Sequence, residues 1–154
     1  RSGFERDRAC ALGAGTAPSV REVCLKKAVV FAPGDAALLE ASIPLSIGVY
    51  GNYAYTAALA GNAALKRPRD PFPLFARAQA FYMAGALRSA KAELYRVLAV
   101  EPAFLRARLR LAEILAVENN YRAAAAELRR ALSFQPEEPL RRRLLDQLKL
   151  VERP

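Results

Sequence analysis

The 154-residue chain contains no histidine. That removes the commonest general base and the commonest transition-metal ligand together. Tryptophan is also absent, methionine occurs once and cysteine twice. There is no G-x-x-x-x-G-K-[ST] loop to cradle phosphates and no G-x-G-x-x-G after a strand. Gly13-Ala14-Gly15 precedes a helix without a strand before it, so it reads as an interhelical loop. No segment alternates in the manner of a strand with hairpin turns. Glu137 and Glu138 are adjacent acids at a helix start, where they suit the positive end of the helix dipole, and no partner makes them catalytic. The expectation is a protein that is not an enzyme and takes neither cofactor nor metal.

What is present is apolar and mildly basic. Hydrophobic residues make up 53%, many of them alanine, which is too apolar for a disordered chain and suits helices packed closely through small side chains. Net charge is +9, from 24 Lys and Arg against 15 Asp and Glu. The excess is spread along the chain: +3 in residues 1–70 (9 basic minus 6 acidic) and +6 in residues 71–154 (15 minus 9). A basic surface can favour nucleic acid, anionic lipid or an acidic protein. Arg141, Arg142 and Arg143 point 100° apart on a helix and make no flat patch, whereas Arg106 and Arg110 share one face. No basic tail or dense Lys/Arg stripe with interleaved aromatics is present, so nucleic acid is not the expected partner.

Residues 41–65 carry no charge over 25 positions, long enough to span a bilayer. Pro44, Gly48, Gly51, Asn52, Gly61 and Asn62 interrupt that run, so it reads as a buried helical hairpin, with no transmembrane segment expected. The chain does not begin with methionine, so it reads as a processed or excised segment, and the lack of a visible signal peptide says nothing of the parent protein.

The strongest signal is periodic. Pro33, Pro68, Pro102 and Pro136 recur at near-constant intervals of 35, 34 and 34. A period of 34 is the length of one helix–turn–helix unit of a solenoid. With Pro102 laid over Pro136, Leu94 falls on Leu128, Ala90 on Ala124, Phe81 on Leu115 and Ala78 on Ala112. Gly85 falls on Asn119, two residue types that suit a helix C-terminus needing positive φ. These residues resemble the tetratricopeptide repeat (TPR) family, with leucine replacing several aromatics. Residues 71–102 and 105–136 fit well. Residues 37–68 keep Gly51-Asn52-Tyr53 at the turn, Ile43 and Ile47 in the first helix, and Ala60 and Ala63 in the second. Pro44 departs from the pattern and should kink that first helix. Residues 2–33 form the remaining repeat. Ser19 and Glu22 after Pro18 predict a capping box there, with Leu25 and Ala28 in the core. Residues 139–151 read as a capping helix over the last seam. Asp70-Pro71 predicts an N-cap, and Asn119-Asn120 precede a helix starting near Tyr121. The resemblance implies an all-α, right-handed superhelical solenoid of about four repeats plus a cap: nine helices in a single domain of residues 1–154.

Cys10 and Cys24 stand one on each helix of the first hairpin. Antiparallel neighbours could bring them within disulfide reach, which would fasten the least regular repeat and imply an oxidising compartment. Two buried free thiols are the alternative.

In the TPR family the first helix of each repeat lines a concave face. The resemblance implies a peptide-binding groove of Leu38, Ala41, Leu45 and Val49, then Phe72, Phe75, Gln79, Tyr82 and Met83, then Arg106, Leu109, Arg110, Glu113 and Val117. Its middle would be aromatic and one end basic, suited to a short peptide or helix with apolar anchors and an acid. Packing between adjacent repeats is the alternative for Phe75 and Tyr82. The Lys/Asn-rich clamp by which some TPR modules hold a C-terminal carboxylate is missing from these positions. Arg108-Leu109-Arg110-Leu111-Ala112, Asn119 and the run 123–126 resemble periplasmic TPR domains of bacterial envelope assembly proteins. The resemblance therefore implies a non-catalytic scaffold for a protein or peptide in an envelope or secretion assembly, periplasmic or envelope-associated, with a cytoplasmic location as the alternative. Two other readings remain: a nucleic-acid-binding helical repeat, and an oligomerisation module making a homo-oligomer.

Overall fold

The computed structural model describes residues 2–13, 15–32, 35–38, 41 and 53–153. Its described residues form eight helices and no strand: α1 (Ser2–Leu12), α2 (Pro18–Phe31), α3 (Tyr53–Lys66), α4 (Pro71–Met83), α5 (Leu87–Val100), α6 (Leu105–Val117), α7 (Tyr121–Leu132) and α8 (Leu140–Val151). Residues 36–38 are also helical. The chain divides into two compact units, Arg1–Glu93 and Leu94–Pro154. Ile43, Pro44, Ile47 and the Gly51-Asn52 turn lie outside the described residues. No described helix is long and apolar enough to cross a membrane.

In the first unit α1 packs on α2 and α3 on α4. The core there is built from Ala11, Leu25, Ala28, Val29, Leu38, Leu59, Ala60, Ala63 and Ala76, with Phe4, Leu12, Cys24 and Phe72 packed against it. Leu25 and Ala28 thus take the core positions assigned to them. Cys10 and Cys24 are disulfide-bonded, with Cα atoms 5.9 Å apart, joining α1 to α2. A second tie joins α1 to the start of the next helix: Arg8 Nε donates to Asp35 Oδ2 at 2.8 Å. Asp35 Oδ1 meanwhile accepts from the backbone N–H groups of Ala37 and Leu38, an N-cap arrangement. Burial pushes the Asp35 carboxyl up, but the hydrogen bond from Arg8, that guanidinium's charge and the two backbone donors hold it below the usual aspartate value.

The start of α2 departs from the capping-box expectation. The helix begins at Pro18, with Ala17 in the N-cap position and no side-chain cap. Proline's fixed φ and missing N–H suit the first helical position, so the helix starts before Ser19 can serve as a cap. Glu22 instead pairs with Lys26 one turn on, at 2.5 Å.

The later boundaries follow the expected pattern. Asp70 caps α4 by accepting from Phe72 N–H at 3.0 Å, with Pro71 in the first turn. Asn120 caps α7 by accepting from Ala123 N–H at 3.3 Å. In the second unit α6 packs on α7 and α7 on α8, and Arg129 pairs with Glu152 across the latter contact. The capping helix spans Leu140–Val151, with Leu144 fully buried.

The turns inside the two best-matched repeats are the same structure, one period apart. Ala86 N–H reaches back to Phe81 O at 2.9 Å, and Asn120 N–H to Leu115 O at 2.8 Å. Between donor and helix sit Gly85 at φ 78° and Asn119 at φ 61°. The six-to-one bond requires that left-handed residue. A Cβ at Gly85 would meet nothing within 4 Å, so its cost is the backbone conformation alone. Gly85→Ala is expected to lower stability by about 1 kcal/mol, and Asn119→Gly to leave it level or slightly raised. Denaturant midpoints check both; an unchanged midpoint for Gly85→Ala would remove the argument.

Candidate functional site

On a helix, side chains three and four positions apart share a face. On α4, Phe72, Gln79 and Met83 form such a stripe, with Phe75 and Tyr82 along its edge. One period later, on α6, the matching positions are Arg106, Glu113 and Val117, with Leu109 at the edge and Arg110 inside the stripe. Burial follows this register. Phe75 is 2% exposed and Leu109 is 4% exposed, whereas Gln79, Tyr82, Met83, Arg110 and Glu113 are half-buried and Arg106 and Val117 are exposed.

This arrangement corrects part of the sequence-based groove. Phe75 and Leu109 are core residues, because their position on each first helix points into the helical layer rather than off it. Leu38 is fully buried for the same reason, and Phe72 packs against the first unit's core. Leu45 and Val49 lie outside the described residues. The remaining surface belongs to two separate helices: Gln79, Tyr82 and Met83 on α4 in the first unit, and Arg106, Arg110, Glu113 and Val117 on α6 in the second.

The charge on α6 is also altered by the fold. Arg110 and Glu113 form an ion pair at 2.5 Å, one helical turn apart. That stripe therefore presents an arginine–glutamate pair flanked by Arg106 and Val117, not a purely basic end. Such a pair can be opened by a partner carboxylate that takes the arginine in two hydrogen bonds.

Sequence reasoning missed two ion pairs that connect the helices of single repeats, each with one buried member, Arg108 in one and Glu93 in the other. In the second unit Arg108 is buried on α6. Its Nη1 reaches Glu127 Oε2 on α7 at 2.7 Å, its Nε donates to Pro102 O at 2.9 Å, and its guanidinium lies 5.8 Å from the Phe134 ring centre. In the first unit Arg77 of α4 lies 3.8 Å from Glu93 of α5, with its guanidinium 5.4 Å from the Phe81 ring centre. Glu93 and Glu127 are one period apart, so the repeat itself carried the signal. Both glutamates occupy the same place on a second helix and take an arginine from the first. Among the described residues, no group of three or more His, Cys, Asp or Glu could hold a metal ion.

Paired helices joined by short left-handed turns, recurring at the period of the prolines, define a helical-repeat protein. Residues 81–148 match the family model described as tetratricopeptide repeat. The fold is shared with solved structures at low sequence identity. A MamA protein superposes with a TM-score of 0.73 at 12% identity, covering 97% of this chain and 81% of that one. A thermophilic TPR protein from Thermus thermophilus gives 0.71 at 16%, covering 99% and 82%. The first TPR of Spaghetti (RPAP3), bound to an HSP90 peptide, gives 0.63 at 16%, covering 75% and 89%. No curated protein matches. Residues 81–148 are tetratricopeptide repeats by this match, and the fold of the chain is that of a helical-repeat solenoid of the same kind.

Removing Arg108 leaves the largely desolvated Glu127 with Arg130, at 3.8 Å, as its remaining ion-pair partner among the described residues. Arg108→Met is expected to cost about 3 kcal/mol, and Arg108→Leu with Glu127→Leu much less than the sum of the singles. A double-mutant cycle by urea unfolding checks this; additive losses would show that the two side chains do not depend on each other.

Proposed function

We propose that this chain is a non-catalytic scaffold that binds a protein or peptide along the outward stripes of its first helices. The observation that carries the reading is the shared register on α4 and α6. In both repeats one edge position is buried as a packing residue, while the positions beside it stay at the surface with aromatic, thioether, amide, arginine and carboxylate groups. Met83 and Tyr82 adapt to apolar side chains, and Arg110 can grip a carboxylate. A neighbour of the same fold, the first TPR of Spaghetti, is bound to an HSP90 peptide, which supports a peptide as the kind of guest.

The test is affinity capture from an envelope extract of the chain's own organism. Partners kept by the wild type should bind at least about tenfold more weakly to Arg110→Glu and to Tyr82→Ala with Met83→Ala, with thermal unfolding little changed. Phe75→Ala is unsuitable, because that side chain is in the core. The same partners on both variants at full strength would sink the stripe as a binding face.

We place the scaffold in a bacterial envelope or secretion assembly. The Cys10–Cys24 bond supports an oxidising compartment, since such bonds persist in a periplasm and are rare in the cytosol. Protein prepared from its native compartment, alkylated under denaturing conditions without reductant, should keep a monomer mass with no added label. Two alkylated cysteines would instead point to the cytoplasm and leave the binding reading standing. Reduction of a loop this long should cost about 3 kcal/mol of stability.

A further inference from the structure

The second helices of the first two repeats form a surface separate from the stripes above. Between α2 and α3 lies a groove of about 580 Å³. Its floor is Val29 and Leu59, both almost wholly buried, and its walls rise to Val30 and Leu65, which are 76% and 83% exposed. Lys26, Asn62 and Lys66 complete the lining, so among the described residues the charged groups of the groove are all cationic. The apolar exposure continues along α2 through Val20, Val23 and Phe31, with Lys27 on the same face. Exposed apolar surface rimmed by polar groups marks an interaction site.

Spacing and charge narrow the occupant. Lys26, Val29 and Val30 are three and four positions apart on α2, as are Leu59, Asn62, Leu65 and Lys66 on α3, so each wall is one helix face. Such a trough takes the protruding side chains of a third helix. Lys26 is partnered by Glu22, but Lys27 and Lys66 have no ion-pair partner among the described residues. A second copy docking through the same face would set these lysines against their own counterparts. A bilayer, flat on this scale, would touch Val30 and Leu65 but leave the floor of Val29 and Leu59 unfilled. We propose that the α2–α3 groove is a docking site for an acidic amphipathic helix, whose apolar side chains enter between Val30 and Leu65 and whose carboxylates meet Lys27 and Lys66. This site does not rest on the first-helix reading.

The probe is a phage-displayed library of random peptides, each about four helical turns long, panned on the whole disulfide-bonded chain. Enriched peptides should carry Asp or Glu beside apolar residues three and four apart. They should bind at least about tenfold more weakly to Leu65→Glu and to Lys27→Glu with Lys66→Glu, but equally to Arg110→Glu. Leu65, Lys27 and Lys66 are exposed and Arg110 is half-buried, and circular dichroism checks that each variant folds. No enrichment, a consensus without acids, or binding indifferent to Leu65 and Lys66 overturns the proposal. Loss only with Arg110→Glu would likewise overturn it while leaving the first-helix reading intact. Two further results also overturn it. One is sedimentation of the wild type, but not Leu65→Glu, with phosphatidylglycerol–phosphatidylcholine vesicles. The other is a dimer abolished by Leu65→Glu.

Discussion

Two helices can lie side by side at close range only where neither carries a large side chain at the contact. That steric condition underlies the rest of this molecule. Ala78 and Ala112 on the first helices, and Ala90 and Ala124 on the second, are all at most 2% exposed. Leu94 and Leu128, each fully buried, stand beside them to fill the interior. Small residues set the approach and large ones occupy what space remains, so the same pairing recurs whenever the same residue sizes recur. The turn then has to reverse the chain within a short stretch, and Gly85 and Asn119 supply the left-handed backbone that this requires.

Polar ties are built into this apolar frame. Each of the two best-matched repeats places a glutamate on its second helix, Glu93 or Glu127, against an arginine from its first. The buried members, Glu93 and Arg108, each lie against an opposite charge on the neighbouring helix, which ties the two helices of a repeat together. In the N-terminal hairpin, where the repeat pattern is weakest, other devices take this place. The Cys10–Cys24 bond joins α1 to α2, and Arg8 holds Asp35 at the next helix start.

The surfaces left over divide by helix type. First helices present mixed polar and aromatic stripes, with Arg110 already paired to Glu113. Second helices of the first two repeats present an apolar trough with a cationic rim. The two surfaces differ in chemistry: the stripes mix polar, aromatic and charged groups, whereas the trough is apolar with lysines at its edge.

Much of the fold was legible in the sequence because its signals are local. Helix starts at Asp70 and Asn120, the turns at Gly85 and Asn119, and the cap at Leu140–Val151 each follow from a few neighbouring residues. The proline period identified the architecture, since residue size alone governs helix approach. The start of α2 was misread because Pro18 and Ser19 both signal a helix beginning, and proline's fixed geometry prevailed. The site was less legible. The family resemblance placed Phe75 and Leu109 in the groove, with packing between repeats as the alternative for Phe75, but a rotation of one position around a helix separates surface from core, and only packing decides which side faces in. Nothing local in the sequence marks Arg108 for burial, yet it is buried, with Glu127 and Pro102 O both within its reach. The sequence by itself determined the repeating helical pairs, because those depend on size and backbone preference within one repeat. Tertiary structure alone decided which arginines are buried, which stripe residues remain open and where the α2–α3 trough lies, because each depends on side chains from different helices meeting in space.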